Sequence, residues 1–416
     1  MKKVVKRLLY VAGVLTLLAA GTLVYKKFFA APLRVTVPSV ITINLDLAPE
    51  KRWDPVIRSM NKAMITLYDQ QLAPAIDKLR AVVGVHGAAL AASAILPDEY
   101  RRELQGIARS LREHGGPDLK NLTYENLLLL SVAYDVLINC TAGIIVGTAQ
   151  TPYLFRTLDW QFLVMRKLIT TIRWYKGGKH LFTTVGIPFV PVAYTGERTG
   201  AFAVAINARH EPSLALGGAI ARYVREPINV WSTPVLVRYA LQYMSSYHQA
   251  YTLFKSAKLI GSVYVILAGT TFKEGVILAR DNDQVKLKDK IEEWRYYYPT
   301  IGQPVNPANE KSSVIIDPQH AQTRYIVVTN IDNDYPSEMR DWVKQNPLLV
   351  EKRRGGIGPR YRRNSALNSC CTLPGDFSAD DLFNKVLANP PVRNQFTIHA
   401  TVMCPQNGMI KSWVIW

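Results

Sequence analysis

The stretch INCTAGIIVGTAQTPYLFRTLDW, residues 138–160, is where this chain changes character. Before it, residues 55–139 carry apolar side chains at helical spacing, as in DEYRRELQGIARSLREH and YENLLLLSVAYDVLIN. After it, as far as about residue 210, short β-branched runs dominate, punctuated by Gly and Pro: TAGIIVGTA, YLFRTL, HLFTTVGIPFV and GAFAVAINA. Working outward, residues 32–47 are rich in β-branched side chains and read as strands, closed by Pro49. Residues 214–258 read as helical again, and SVYVILAG, a tight turn and GVILAR read as a hairpin. TRYIVVTN reads as a strand, residues 379–389 as a short helix, and QFTIHATVMC with MIKSWVIW as a closing strand pair. The class is α+β, a helical N-terminal part followed by a large antiparallel sheet system. Thr123 is the expected N-cap of the helix before the change, with Glu125 in its first turn. A reciprocal capping box is missing, because Asn126 stands where Glu or Gln is needed.

The chain has 416 residues, of which 48% are hydrophobic, enough for one large core or two smaller ones. Its net charge is +18, and six of those charges (Lys2, Lys3, Lys6, Arg7, Lys26 and Lys27) flank the uncharged run Leu8–Tyr25. That run is 18 residues long, just enough to span a bilayer. With four positive side chains before it and two after, its N-terminal side stays cytosolic. Residues 1–31 therefore read as a signal anchor or a cleaved signal peptide, and both send the rest of the chain into the secretory lumen, lysosomal or extracellular. The remaining basic charge suits anionic lipid better than nucleic acid, since zinc-finger spacing, RNP-like aromatics and a basic zipper are all missing. Between Trp342 and Asn364, Lys344, Lys352, Arg353, Arg354, Arg360, Arg362 and Arg363 lie among glycines. This reads as a flexible basic loop, either simply solvated or a contact for anionic head groups.

The chain has four cysteines, at 140, 370, 371 and 404, too few for a disulfide scaffold. In an oxidising lumen one of Cys370 and Cys371 could pair with Cys404, leaving Cys140 as a thiol. Asn121-Leu122-Thr123 is a glycosylation sequon, and Asn139-Cys140-Thr141 is formally another.

Five segments, in order, resemble the acid ceramidases and N-acylethanolamine-hydrolysing acid amidases. They are TINLDLAPEKRW (42–53), residues 138–160, VYVILAGTTFKEGVILARD (263–281), YIVVTNIDNDYP (325–336) and QFTIHATVM (395–403). The first leans toward the ceramidases. The resemblance implies an N-terminal nucleophile hydrolase, an αββα sandwich that cuts itself just before the cysteine. It divides the chain into the signal or anchor segment 1–31, a helical α-subunit-like region 32–139 and a catalytic β-subunit-like region 140–416, the last two forming a heterodimer after the cut. Carried over, Cys140 is the nucleophile, Arg156 and Asp159 are its partners, Asn330 supplies an oxyanion contact, and Arg362 or Arg363 is the family's arginine. It further implies a lipid amide substrate, ceramide before N-acylethanolamine, an accompanying membrane surface and a saposin-like activator. Two side chains depart from the pattern: Thr157 replaces an Asn, and Ala208 replaces a Glu in the step Asn207-Ala208-Arg209. The Ala208 departure keeps open an inactive, membrane-anchored binding protein.

The residues support the same chemistry independently. A guanidinium near a thiol favours the thiolate. A cut before Cys140 frees an α-amine, of reference pKa about 7.7–8.0, within reach of its own sulfur. Asp159 can orient that amine, and an Asn330 N–H can meet the oxyanion. Neither cofactor nor metal is needed. The bland alternatives are a core cysteine, an Arg156–Asp159 ion pair and a turn asparagine. The apolar patches Leu127–Leu130 and Ile187–Val190 read as core or as the lining of an acyl channel.

Overall fold

The N-terminal region forms strand β1 (Ser39–Asn44) and helices α1 (Asp54–Ser59), α2 (Lys62–Val83), α3 (Asp98–Gly115) and α4 (Tyr124–Val132). The next segment is almost entirely strand: β2 (Asn139–Val146), β3 (Pro152–Asp159), β4 (Thr170–Lys176), β5 (Lys179–Gly186), β6 (Thr195–Arg198) and β7 (Phe202–Ala208). Helices α5 (Thr233–Tyr243) and α6 (Tyr247–Ser256) follow, then β8 (Val263–Ala268), β9 (Gly275–Asp283), β10 (Lys288–Trp294) and β11 (Tyr325–Val328). Helices α7 (Pro359–Thr372) and α8 (Ala379–Leu382) lead into β12 (Thr397–Cys404) and β13 (Met409–Ile415). The computed structural model describes residues 33–83, 96–132, 139–160, 163–209, 230–283, 288–294, 324–330 and 359–416. The fold lies in the unit Thr36–Ile415; residues 1–35 with Trp416 form a second unit.

Two sheets carry the architecture. In the first, β13 lies beside β12, then β3, β2 and β11. The second is eight-stranded, in the order β10, β9, β8, β7, β6, β5, β4, β1. Its pairs are antiparallel except β1 with β4, so an N-terminal strand closes one edge in parallel. The sheets meet face to face, β2 and β3 against β7 and β8. Small side chains, Ala142, Ala203, Ala205 and Ala268, let them approach around Tyr264 and Ile266. Helices α5 and α6 cover the outer face of the second sheet, and α7 and α8 that of the first. The layers are therefore α, β, β, α.

This layering explains the texture of the strands. Every residue of β7, β8 and β12 is buried. A strand covered on both faces has no polar side, so apolar residues run on without alternation. Nearer the edge, β4 does alternate buried and less buried positions, as a half-covered strand should.

Several expectations are corrected. The basic stretch is not loop to Asn364: Pro359 opens α7, which carries Arg360, Arg362 and Arg363. Proline suits a first helical turn because its missing N–H would have no partner there. Residues 342–358 of that stretch, including Lys352, Arg353 and Arg354, lie outside the described residues, as do the apolar run 8–25 and residues 210–229. Among the described residues no helix is long and apolar enough to cross a membrane. Leu127, Leu128, Leu130, Ile187, Phe189 and Val190 all belong to the main hydrophobic core. No cysteine is disulfide-bonded, Cys370, Cys371 and Cys404 included. The sequon Asn121 is half-buried and donates its amide to Asp69 at 3.1 Å. Asp69 also accepts the backbone N–H groups of Lys120, Asn121 and Leu122, so it pins that whole turn. The N-cap is as expected, with Asn126 N donating to Thr123 Oγ1 at 3.4 Å.

Candidate active site

Cys140 stands second in β2, in the middle of the sandwich and fully buried. Its position follows from register. Cys140 pairs with Leu158 of β3, and Leu158 with His399 of β12. One step along, Ala142 pairs with Arg156, and Arg156 with Thr401. Directly opposed residues share a face. Cys140, Arg156 and His399 therefore all point between the sheets, with Ala142. Asp159 has the opposite parity and points to the other face, under α7. The three-residue spacing from Arg156 to Asp159 thus rules out the ordinary ion pair, because the two side chains leave opposite sides of one strand.

On the inner face the Arg156 guanidinium donates to Cys140 Sγ at 2.6 Å. Its other terminal nitrogen donates to Tyr194 O at 2.9 Å and Thr195 Oγ1 at 2.6 Å. Arg156 is fully buried, and among the described residues it meets no carboxylate. A buried charge without a counter-ion is costly. The sulfur is the one partner there that can become an anion.

At the outer side Asp159 is held from three directions. It accepts from Thr397 Oγ1 at 2.7 Å, from Asn394 Nδ2 at 2.8 Å and from Arg362. Such full satisfaction is what makes a buried ion pair tolerable. Arg362 also donates to Asn330 Oδ1 at 3.0 Å. That oxygen in turn accepts the Cys140 backbone N–H at 2.9 Å. Asn330 Nδ2 donates to Ala208 O at 2.8 Å. The Asn330 oxygen thus faces the Cys140 nitrogen, and one of its two N–H groups is engaged by the β7 backbone.

Five of the six residues expected from sequence therefore meet: Cys140, Arg156, Asp159, Asn330 and Arg362. Arg363 does not join them, since its Nε donates to Val327 O at 3.3 Å on the next strand. At the Ala208 departure the backbone carbonyl reaches the site, accepting from Asn330 Nδ2. Thr157 lies on the Asp159 side of the strand, opposite Arg156 and Cys140. Sequence reasoning missed Thr195, Tyr194, Asn394 and Thr397. Tyr194 acts through a backbone carbonyl, which leaves no mark in sequence. Asn394 precedes the segment 395–403 already singled out and Thr397 lies within it, and polar side chains at the opening of an apolar strand were the available signal. Among the described residues no group of His, Cys, Asp or Glu side chains could hold a metal.

Two neighbours on the inner face are neutral. Burial first, and the Arg156 charge second, push His399 down to about 3. Burial raises the Glu197 carboxyl to about 9.

A family model described as the beta subunit of N-acylethanolamine-hydrolyzing acid amidase matches residues 36–88. The N-acylethanolamine-hydrolyzing acid amidase of Mus musculus is 27% identical over 379 residues, covering 88% of this chain and 85% of that protein. The acid ceramidase of Mus musculus is 22% identical over 393 residues, covering 89% and 84%. A solved Caenorhabditis elegans ortholog of the amidase aligns with a TM-score of 0.48 and 20% identity, covering 66% of this chain and 99% of that one. Relatives of both names match along most of the chain, so they do not separate ceramide from N-acylethanolamine.

Proposed function

Because the chain belongs to the family of the N-acylethanolamine-hydrolysing acid amidases and acid ceramidases, we propose that it hydrolyses the amide bond of an N-acylated lipid, with Cys140 as nucleophile after a cut before that residue. The observation that carries this reading is the Arg156 guanidinium 2.6 Å from Cys140 Sγ, at the opening of a central strand.

The cut converts the Cys140 amide nitrogen into an α-amine, with an ordinary pKa of about 7.7–8.0. That nitrogen faces Asn330 Oδ1 and lies beside Asp159, which pairs across the ladder with Asn139. The amine takes the thiol proton, and Arg156 favours the resulting thiolate. Sulfur then attacks the amide carbonyl carbon. The second N–H of Asn330, the one not on Ala208 O, meets the developing oxyanion; such a donor is worth about 2.7–4 kcal/mol. The carbon–nitrogen bond breaks as the ammonium returns its proton to the leaving amine. A thioester remains. Water, deprotonated by the same amine, attacks it, releases the fatty acid and restores the thiol.

The sequence of segment 42–53 leans toward ceramide, but it lies within residues 36–88, which match the amidase family model, and identity is higher to the amidases, so N-acylethanolamine stands level with ceramide. Assaying the cut protein on both decides between them. Loss of all hydrolysis in Cys140→Ala supports the nucleophile, and a cut wild type that hydrolyses neither amide favours the inactive binding homologue. We further propose that the catalytic part works in the secretory lumen, lysosomal or extracellular, which the basic-flanked apolar run 8–25 supports, at a membrane surface and with a saposin-like activator.

A further inference from the structure

Cys140 and His399 occupy one cross-strand row, on either side of β3, with Leu158 between them. Arg156, on β3, is the diagonal neighbour of both. One diagonal is the hydrogen bond to sulfur. The other leads to an imidazole that is fully buried. Its Nδ1 is fixed by Thr401 Oγ1 at 3.1 Å, and Thr401 by Ser412 Oγ at 3.0 Å. Among the described residues its Nε2 makes no hydrogen bond, and neither does Arg156 Nε. A buried ring held at one nitrogen while the other is unspent is an unusual use of polar atoms. Such a group calls for an explanation, and here the neighbouring charge supplies one.

We propose that His399 is a positioning residue for the cysteine reaction, a neutral imidazole that flanks Arg156 opposite Cys140 and keeps the guanidinium on the sulfur. We assign the tautomer in which Nδ1 donates to Thr401 Oγ1, which leaves the Nε2 lone pair as an acceptor for the guanidinium. A neutral partner suits this place. A carboxylate there would compete with the thiolate for Arg156, and an apolar ring would leave the guanidinium positioned by Cys140, Tyr194 and Thr195 without support from the His399 side. The inference rests on the reading of Cys140 as nucleophile.

The test compares His399→Phe, which keeps a ring and loses the acceptor, with His399→Gln, which keeps an acceptor, and with Thr401→Val, which disturbs the Nδ1 contact alone. Each is assayed as cut, folded enzyme on one lipid amide and for iodoacetamide alkylation of Cys140 at fixed pH. His399→Phe is expected to lower kcat roughly tenfold or more with KM little changed, as a misplaced catalytic group does. It also slows alkylation, His399→Gln recovers most of both, and Thr401→Val falls between. Wild-type behaviour in His399→Phe overturns the proposal, as does equal impairment of the Phe and Gln variants, which would make the ring mere packing. If His399→Phe does not fold, wild-type rates in Thr401→Val overturn it. Wild type that stays active once Cys140 is alkylated overturns instead the nucleophile reading beneath it.

Discussion

Arg156 is the residue on which the site turns. Among the described residues it is buried without a carboxylate partner, and its hydrogen bonds fix it between a sulfur and the start of β6. Glu197, also on β6 and two residues beyond Thr195, is held neutral by its burial. Its carboxyl is raised to about 9 by burial, and among the described residues its Oε2 has no hydrogen-bond partner. A raised carboxyl pKa makes the fold lose stability as pH climbs from the unfolded value, near 4.5, toward 9. Glu197→Gln removes that titration. The variant should gain on wild type between pH 5 and pH 8, by on the order of 1 kcal/mol or more. Denaturant unfolding at the two pH values measures it; a difference that does not change with pH would count against a neutral Glu197. At this scale much was legible: Cys140, Arg156, Asp159, Asn330 and Arg362 were all named from sequence. What was not legible was which face each takes, and the choice of Arg362 over Arg363. That choice depends on the phase of helix α7, where adjacent residues point about 100° apart.

Elements were legible where a pattern had one cause. The hairpin of β8 and β9 and the closing pair of β12 and β13 stand as read, because β-branched runs bounded by Gly or Pro admit little else. The opening of helix α7, residues 359–364, reads as loop because its sequence is polar and basic, with little apolar stripe; tertiary contact with β11 and β2 holds the helix. Helix α3 has a clear stripe, and a detail only the structure supplies. It packs so closely on the turn Pro49–Lys51 that a Cβ on Gly106 would lie 2.1 Å from Glu50 O. Both parties are backbone, so neither can give way cheaply. Gly106→Ala should destabilise by about 1–3 kcal/mol, despite alanine's better helix propensity. Thermal or denaturant unfolding reads this directly, and unchanged or raised stability would show that the turn yields.

At the scale of the molecule, the N-terminal region is part of the sandwich. Strand β1 extends the second sheet, and the main core runs through both regions without a break. A buried ionic and aromatic cluster joins them further. Arg238 of α5 lies 3.7 Å from the Trp174 ring centroid and 3.8 Å from Glu103, and Glu103 accepts from Trp53 at 2.7 Å and Arg52 at 3.2 Å. Gln242 of α5 reaches Glu99 at 2.9 Å. All four cysteines lie at or after residue 140, so no disulfide can tie the two pieces after a cut at 139–140. The cut protein should therefore run as one species in native size exclusion, and as two bands in denaturing gels with or without reductant. Arg238→Met, which leaves buried Glu103 with one cation fewer, should release the N-terminal piece at lower denaturant than wild type; equal retention would make the cluster incidental. The αββα layering was legible only through family resemblance, since periodicity alone cannot say how two sheets stack.

The central claim is that Cys140 works as a new N-terminus. Intact-mass measurement and N-terminal sequencing of the catalytically active protein test it most directly. The account predicts a fragment that begins at Cys140 and runs to the C-terminus, with Cys140→Ala remaining uncut and inactive. Amide hydrolysis by a protein that is still one unbroken chain through residues 139 and 140 would contradict it.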